Sequence, residues 1–327
     1  MSEIIVLTDQ DVARLVSFDE NMWMVEQAFR DYSLGKSYAF PVVREEITTH
    51  RGIFGIKSGY LESQDVLGFK AGGFWMNNKS KGLPNHQSAI MLFDPSTGQP
   101  TAIVAANFVT QIRTAAIGAI GCKYLARKNS KNLAVIGNGQ QGRNQLEAAL
   151  KVLPAIEEIY LFDAYSETAK TLGRDLAHYQ QKIIVADSAE HACKHADVII
   201  TATSSFQAIV MDEWLQPGVH INAVGTDTRG KQELDPRVFA RATVVVDDMN
   251  QCCYLGECQH AYNAGIITKD SIYGQLGEVL NGRKQGRRTD EEITVFDTTG
   301  VAIQDLATAG YAVSEALKQG VGQKITI

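Results

Sequence analysis

At Leu133-Ala134-Val135-Ile136 a short apolar run turns directly into Gly137-Asn138-Gly139-Gln140-Gln141-Gly142 and then into a helical stretch, Asn144–Val152. Few folds accommodate that succession. Gly137 makes a tight turn, Gly139 lets the backbone approach a pyrophosphate, and Gly142 lets helix and strand pack closely. The phosphates then rest on the helix N-terminus, where unpaired N–H groups and the helix dipole favour anions. Asp163, about twenty residues further on at the end of the next β-like run, puts a carboxylate where the adenosine ribose hydroxyls lie. An acid there accepts from the 2′-hydroxyl and repels a 2′-phosphate, which predicts NAD(H) over NADP(H). The competing reading is a glycine-rich turn in an α/β protein that holds no nucleotide.

The turn opens well inside the chain, so a long non-Rossmann stretch precedes it. From Leu133 onward the pattern is α/β alternation. Leu133–Ile136, Glu158–Phe162, Ile183–Ala186, Val198–Thr203, Ile221–Val224, Val244–Val246 and Thr294–Phe296 are short, apolar and rich in β-branched residues. Helical stretches or longer connections separate them, as parallel strands covered on both faces require. Ahead of the turn, Ile4–Leu7 reads as a strand. Thr8 or Asp9 opens one helix, and the capping box Ser17-Phe18-Asp19-Glu20 opens a second that Gly35 ends. Phe40 to Val104 has β texture, with Asp94–Gly98 as a turn, Asn107–Lys128 reads as one long helix, and Ile303–Lys318 is helical again. The expected architecture is α/β. A central doubly wound Rossmann domain spans residues 114–303, and an α+β domain is formed by residues 1–113 and 304–327.

A chain of 327 residues, 45% hydrophobic and 21% charged, can bury two ordinary cores. The net charge of −6 is spread without a basic block, which speaks against nucleic acid or an anionic membrane as partner. Met1-Ser2-Glu3-Ile4 lacks the basic region of a signal peptide, and no apolar run is long enough to span a bilayer, so a cytoplasmic protein is expected. Cys122, Cys193, Cys252, Cys253 and Cys258 are odd in number and lack CxxC spacing, so no disulfide framework and no metal site is expected. Cys258 near His260 reads as a buried thiol rather than a ligand.

Several charges stand in apolar surroundings. Arg113 lies inside Phe108-Val109-Thr110-Gln111-Ile112-Arg113-Thr114-Ala115-Ala116-Ile117, where an unpaired guanidinium would cost several kcal/mol. Its partner is either a protein carboxylate or a ligand anion. Lys70 sits in the apolar strand Leu67-Gly68-Phe69-Lys70-Ala71-Gly72; Arg44 and Lys57 either complete a set suited to carboxylates or are solvated strand residues. Asp227 follows the strand ending at Val224, where loops of a doubly wound sheet face the ligand crevice. It is an acid/base group, a partner for a substrate amine, or a turn-forming Asp.

Gly82-Leu83-Pro84-Asn85, Thr110–Ala116, Ile136–Gly139, Gly225–Leu234 and Phe296–Asp305 together resemble the ornithine cyclodeaminase/μ-crystallin family over essentially the whole chain. The resemblance implies an NAD-dependent oxidoreductase working on CH–NH2 or C=N groups, and a homodimer whose first domain carries substrate contacts and interface. It implies a substrate carboxylate held by Arg44, Lys70 and Arg113. It further implies cofactor contacts from Gly137, Gly139, Gln140, Gln141, Gly142, Asp163, Thr203, Val224, Gly225, Thr226, Asp227, Lys231 and Thr299, with Asn85 and Arg113 added. Within the family, the run Phe40–Glu46 with Arg44, then Lys57, Asn77-Asn78 and Asn85-His86-Gln87-Ser88, is most like the iminosuccinate reductases. The chain departs from the usual Gly-Leu-Pro-Thr at Asn85, and has Thr226-Asp227-Thr228-Arg229 where cyclodeaminases have Gly-Asp-Cys-Pro. The resulting expectation is NADH-dependent reduction of an α-imino acid, with iminosuccinate to L-aspartate as first choice. Arg44, Lys57 and His86 would take its second carboxylate, and Lys70 or Asp227 would donate the proton. The alternatives are an ornithine or lysine cyclodeaminase, an alanine dehydrogenase, a cyclic ketimine reductase, and a μ-crystallin-like nucleotide binder without turnover.

Overall fold

The computed structural model describes residues 3–326; Met1, Ser2 and Ile327, the outermost residues of the expected first domain, lie outside the described residues. The chain divides into two compact units, Met1–Arg113 with Val301–Ile327, and Thr114–Gly300. The return to the first unit comes at Val301 rather than at 304. Thr298, Thr299 and Gly300 are still tied to the Asp247 carboxylate of the second unit, and the C-terminal helix Ala302–Gln319 starts only after them.

The first unit is built on a sheet of β1 (Glu3–Leu7), β2 (Ser37–Ala39), β3 (Val43–Ile47), β4 (Gly52–Leu61), β5 (Val66–Trp75), β6 (His86–Phe93) and β7 (Pro100–Ala105), closed at one edge by the last strand, Gln323–Thr326. The order is last strand, β1, β7, β6, β5, β4, β2, with β3 also paired to β4. The last strand was not legible in the sequence; it is short and polar, and its antiparallel pairing with β1 comes from distant parts of the chain. Helices Asp9–Leu15 and Phe18–Ser33 start at capping boxes, Thr8 with Asp11 and Ser17 with Glu20, as the sequence predicts for the second.

Alternation along the strands sorts this sheet into two unlike faces. Leu61, Ile90, Leu92, Ala102 and Val104 point to one face and are buried, and Gly68 on that face is packed against Leu306 of the C-terminal helix. The opposite face carries Val43, Phe54, Ile56, Tyr60, Phe69 and Phe93, none of them fully buried.

The second unit contains β8 (Asn132–Ile136), β9 (Glu158–Phe162), β10 (Lys182–Val185), β11 (Val198–Thr201), β12 (Phe206–Val210), β13 (His220–Ala223), β14 (Gln232–Leu234), β15 (Thr243–Val246), β16 (Gly274–Gln275) and β17 (Thr294–Asp297). An eight-stranded sheet runs in the order β10-β9-β8-β11-β13-β17-β15-β16, and all its pairs are parallel. The order reverses between β8 and β11, the switch point outside which ligands bind in doubly wound sheets. Three expected strands stop early, at Val185, Thr201 and Ala223, and after the last two the chain leaves the sheet to meet a buried carboxylate described below. The long helix likewise ends at Leu125, not Lys128.

Candidate active site

The register of the first sheet decides which of its polar side chains share a face. Lys57 pairs with Lys70, Gly55 with Gly72, Arg44 with Gly55, Ser88 with Gly72, and His86 with Phe74. Directly opposed residues project to the same side, as do residues two apart on one strand. Arg44, Lys57, Lys70, His86 and Ser88 therefore all lie on the face that the C-terminal helix covers. The rung between Arg44 and Ser88 bears no side chain at all. Glycine is required there, because a Cβ on Gly55 would come within 2.9 Å of the Val43 carbonyl oxygen and one on Gly72 within 2.2 Å of that of Gln87. Two lysines directly opposed repel each other, so this rung is costly unless an anion lies near it.

One such anion is Asp305. Lys70 Nζ donates to its Oδ1 at 2.7 Å and Arg113 Nε to the same oxygen at 2.9 Å, while Arg113 Nη1 reaches Gln304 Oε1 at 3.1 Å. The partner left open in the sequence is thus a protein carboxylate, on the C-terminal helix. Lys57, Lys70, Arg113 and Asp305 are all buried. Burial lowers Lys70 to about 7; Asp305 raises it, and Arg113 and Lys57 push it further down. Burial by itself would raise Asp305, but Arg113 and Lys70 beside it hold it below its ordinary value. One carboxylate against two cations leaves positive charge in surplus, and a buried surplus favours a ligand anion. Asp305, Gln304 and Thr110 were not named as site residues from sequence. The signal was there in Gln304-Asp305, polar residues in an apolar helix, the same anomaly that marked Arg113. Asn85, expected at the cofactor, has its Oδ1 accepting from Lys79 N–H at 3.0 Å, a bond that fastens its own turn.

In the second unit the glycines of the turn separate by what surrounds them. Gly137 has φ 93° and a Cβ there would lie 2.7 Å from the Ala202 carbonyl oxygen and from Thr203 Cγ2. A Cβ on Gly142 would lie 1.9 Å from the Gly137 carbonyl oxygen. Gly139 is different: a Cβ there meets nothing within 4 Å. The protein itself has no use for a glycine at that point, whereas a phosphate resting on the backbone does. The following helix, Gln140–Val152, has no side-chain cap on its first N–H groups. Asp163 follows β9 directly and is held against the turn, Oδ2 accepting from Asn138 N–H at 2.8 Å and Oδ1 from Tyr165 N–H at 2.9 Å. A cleft of about 420 Å³ runs beside Asn138, Gly139 and Gln140, lined also by Arg143, Glu167 and Asp175, with Arg143 paired to Asp175 at 2.9 Å. Gln140 bonds Asn144 at 2.9 Å, and Gln141 Oε1 is buried with no hydrogen-bond partner among the described residues. These features fit a dinucleotide with an unphosphorylated ribose.

The loops after β11 and β13 are held from beneath by two acids that sequence reading missed. Glu233 accepts from Thr201 Oγ1 at 2.7 Å, Thr203 N–H at 2.6 Å and Gly225 N–H at 2.9 Å. Glu257 accepts from Glu233 N–H at 2.8 Å, Leu234 N–H at 2.7 Å and the Thr226 hydroxyl. Burial raises both, Glu257 to about 8 with Glu233 adding to the rise. Glu233 meets N–H donors on both oxygens, while Glu257 has one oxygen on a hydroxyl that can also accept. The proton of the pair therefore belongs on Glu257. Above them, Lys231 Nζ donates to Asp227 Oδ1 at 3.0 Å and to the Gly225 carbonyl at 3.2 Å, and the Thr228 hydroxyl reaches Asp227 at 3.1 Å. Val224 N–H bonds the Thr201 carbonyl, and the Thr299 hydroxyl is given to Asp247 at 3.1 Å. Among the described residues no three His, Cys, Asp or Glu side chains are grouped to hold a metal ion, and no helix is long and apolar enough to cross a membrane.

Comparison with known proteins extends over the whole chain. The model of the ornithine cyclodeaminase/mu-crystallin family matches residues 2–320. An iminosuccinate reductase of Paracoccus denitrificans is 41% identical over 324 residues, 99% of this chain and 100% of that one. An archaeal alanine dehydrogenase dimer with bound NAD superposes with a TM-score of 0.94 at 40% identity, covering 100% of both chains. The Δ1-pyrroline-2-carboxylate reductase of Thermococcus litoralis, in complex with NADH and L-proline, superposes with a TM-score of 0.93 at 33% identity, covering 98% of this chain and 100% of that one.

Proposed function

The chain belongs to the ornithine cyclodeaminase/mu-crystallin family and is an NAD-dependent oxidoreductase of amino and imino acids; within that family we propose that it reduces iminosuccinate to L-aspartate. The observation that carries this reading is the sheet register. It puts Arg44, Lys57, Lys70 and His86 on one face, around a glycine rung, beside Arg113. An α-carboxylate uses Arg113 and Lys70. The remaining cations make sense with a second carboxylate, and the bare Gly55–Gly72 rung leaves room for a small substrate.

NADH supplies the hydride when bound; Gly139, the uncapped helix start and Asp163 would hold it. Arg113 and Lys70 orient the α-carboxylate and draw electron density from the neighbouring carbon, favouring attack there. Lys70, brought to about 7, is half protonated near neutrality and gives its proton to the substrate nitrogen. Asp227, already an acceptor for Lys231 and Thr228, suits the role of orienting the substrate amine instead. Arg44, Lys57 and His86 bind the distal carboxylate. The active form is a homodimer, supported by the uncovered apolar sheet face of the first unit and by the dimeric alanine dehydrogenase.

Following the nicotinamide absorbance with ammonia and a panel of oxaloacetate, pyruvate and cyclic imines tests the proposal. Oxaloacetate should exceed pyruvate in kcat/KM by about ten- to a hundredfold, the worth of one charge-assisted pair. Arg44→Met should remove that preference and spare monocarboxylate activity. A preference for pyruvate, a cyclic imine or ornithine overturns the dicarboxylate assignment. Alanine dehydrogenase is the runner-up, favoured by the TM-score of 0.94.

A further inference from the structure

The hydrogen-bonded array around Lys70 continues past Asp305. Lys70 Nζ lies 3.3 Å from Thr110 Oγ1, and Thr110 Oγ1 lies 3.4 Å from Ser88 Oγ. Lys70 and Thr110 are buried, while Ser88 is only half-buried. Thr110 is placed by the first turn of the helix Asn107–Leu125, its N–H bonded to the Ala106 carbonyl. Ser88 is placed by its register opposite Gly72. We infer that the Thr110 and Ser88 hydroxyls form a proton relay that reloads Lys70 after each turnover.

The inference rests on Lys70 being the proton donor of the proposed reaction. Once Lys70 has passed a proton to the substrate nitrogen, it is a neutral amine in a buried site. Asp305 is held ionised and only accepts. Arg113 does not release a proton in proteins. Among the described residues bonded to Nζ, Thr110 is the hydroxyl with a proton to give. The amine takes the Thr110 hydroxyl proton, the Thr110 oxygen takes that of Ser88, and Ser88 takes one from solvent. One proton enters per turnover, no bond order changes elsewhere, and each hydroxyl ends as it began. Hydroxyls are suited to this because each both donates and accepts.

A merely structural Thr110 would prop Lys70 through the same bond, so the experiment must separate the two roles. Thr110→Val keeps the shape and deletes the hydroxyl, Thr110→Ser keeps the hydroxyl, and Ser88→Ala cuts the outer link. All three are compared with wild type in H2O and D2O from pH 6 to 9, using the best substrate of the panel. Thr110→Val should lower the reductive kcat about tenfold, increasingly above pH 7, with KM values within about twofold. Its solvent isotope effect should grow, imidazole buffer should restore part of the rate, and Thr110→Ser should match wild type. Ser88→Ala should fall between. In ¹⁵N-lysine spectra, the ammonium protons of Lys70 should exchange with solvent about tenfold more slowly in Thr110→Val. Wild-type kcat and isotope effect in Thr110→Val overturn the relay, as does a loss expressed equally in KM or one that Thr110→Ser shares. If the wild type reduces nothing in the panel, the reading of the reaction falls, while the exchange measurement still decides the relay.

Discussion

In the first unit Lys70 and Arg113 share one oxygen of Asp305, whereas in the second Glu233 and Glu257 are packed together and, among the described residues, take their hydrogen bonds from hydroxyls and backbone N–H groups. Both arrangements bury charge, and each settles it differently. Burial, with Arg113 and Lys57 adding to it, pushes Lys70 down to about 7, and the cations keep a surplus that a ligand can complete. The acids dissolve their charge into fixed dipoles and a retained proton, and what they secure is the backbone of the loops at Thr203 and Gly225. On the proposed reading, charge left incomplete marks the place for substrate, and charge fully absorbed marks a scaffold.

The largest expected effect breaks the first half of that contrast. Asp305→Ala leaves two buried cations facing each other and should cost about 3–5 kcal/mol in urea unfolding. A loss below about 1 kcal/mol would show that Asp305 does not hold the cluster. Arg113→Ala is milder, because Asp305 keeps Lys70 as partner. It should leave a folded protein with kcat/KM reduced about ten- to a hundredfold, and unchanged kinetics would remove Arg113 from the substrate.

The next prediction sharpens the second half. Glu257 is raised to about 8 in the folded protein, so the native state holds a proton that the unfolded chain releases above about 4.5. Its contribution is fully present below that lower value and is lost as pH rises to about 8. Glu257→Gln removes the titration, and the Thr226 hydroxyl can accept from the new amide. The variant should therefore gain on wild type by roughly 1 kcal/mol per pH unit between pH 5 and 8, and parallel stability curves would refute the buried proton. Glu233→Gln should be the worse substitution, since its amide would face the N–H of Thr203 or Gly225. The smallest effect concerns Asp163. NADH should be preferred to NADPH by about tenfold, near 1.4 kcal/mol, and Asp163→Ser should narrow the gap. Equal use by the wild type would remove Asp163 from the ribose.

Much of the architecture was legible because its signals are local. The strand, the glycine turn and the carboxylate of Asp163 lie within one βαβ unit, and Ser17 with Glu20 sets a helix start within four residues. Arg113 and Lys70 were legible as anomalies, charges where apolar side chains belong. Asp305, Glu233 and Glu257 were not assigned, because an acid in a sequence gives no sign of which distant donors it will meet.

The sequence by itself determined the Rossmann turn and its place in the chain, the helix starts, and the residues whose charge would need a partner, since hydrophobic period, capping and glycine sterics act over a few residues. Only the tertiary structure decided that Arg44, Lys57, Lys70, His86 and Ser88 share one face, that Asp305 stands between Lys70 and Arg113, and that two glutamates lock the loops of the second unit. Strand register and helix docking are long-range choices, made by burying one face of each element, and a one-residue slip of a strand would have sent its side chains to the other side of the sheet.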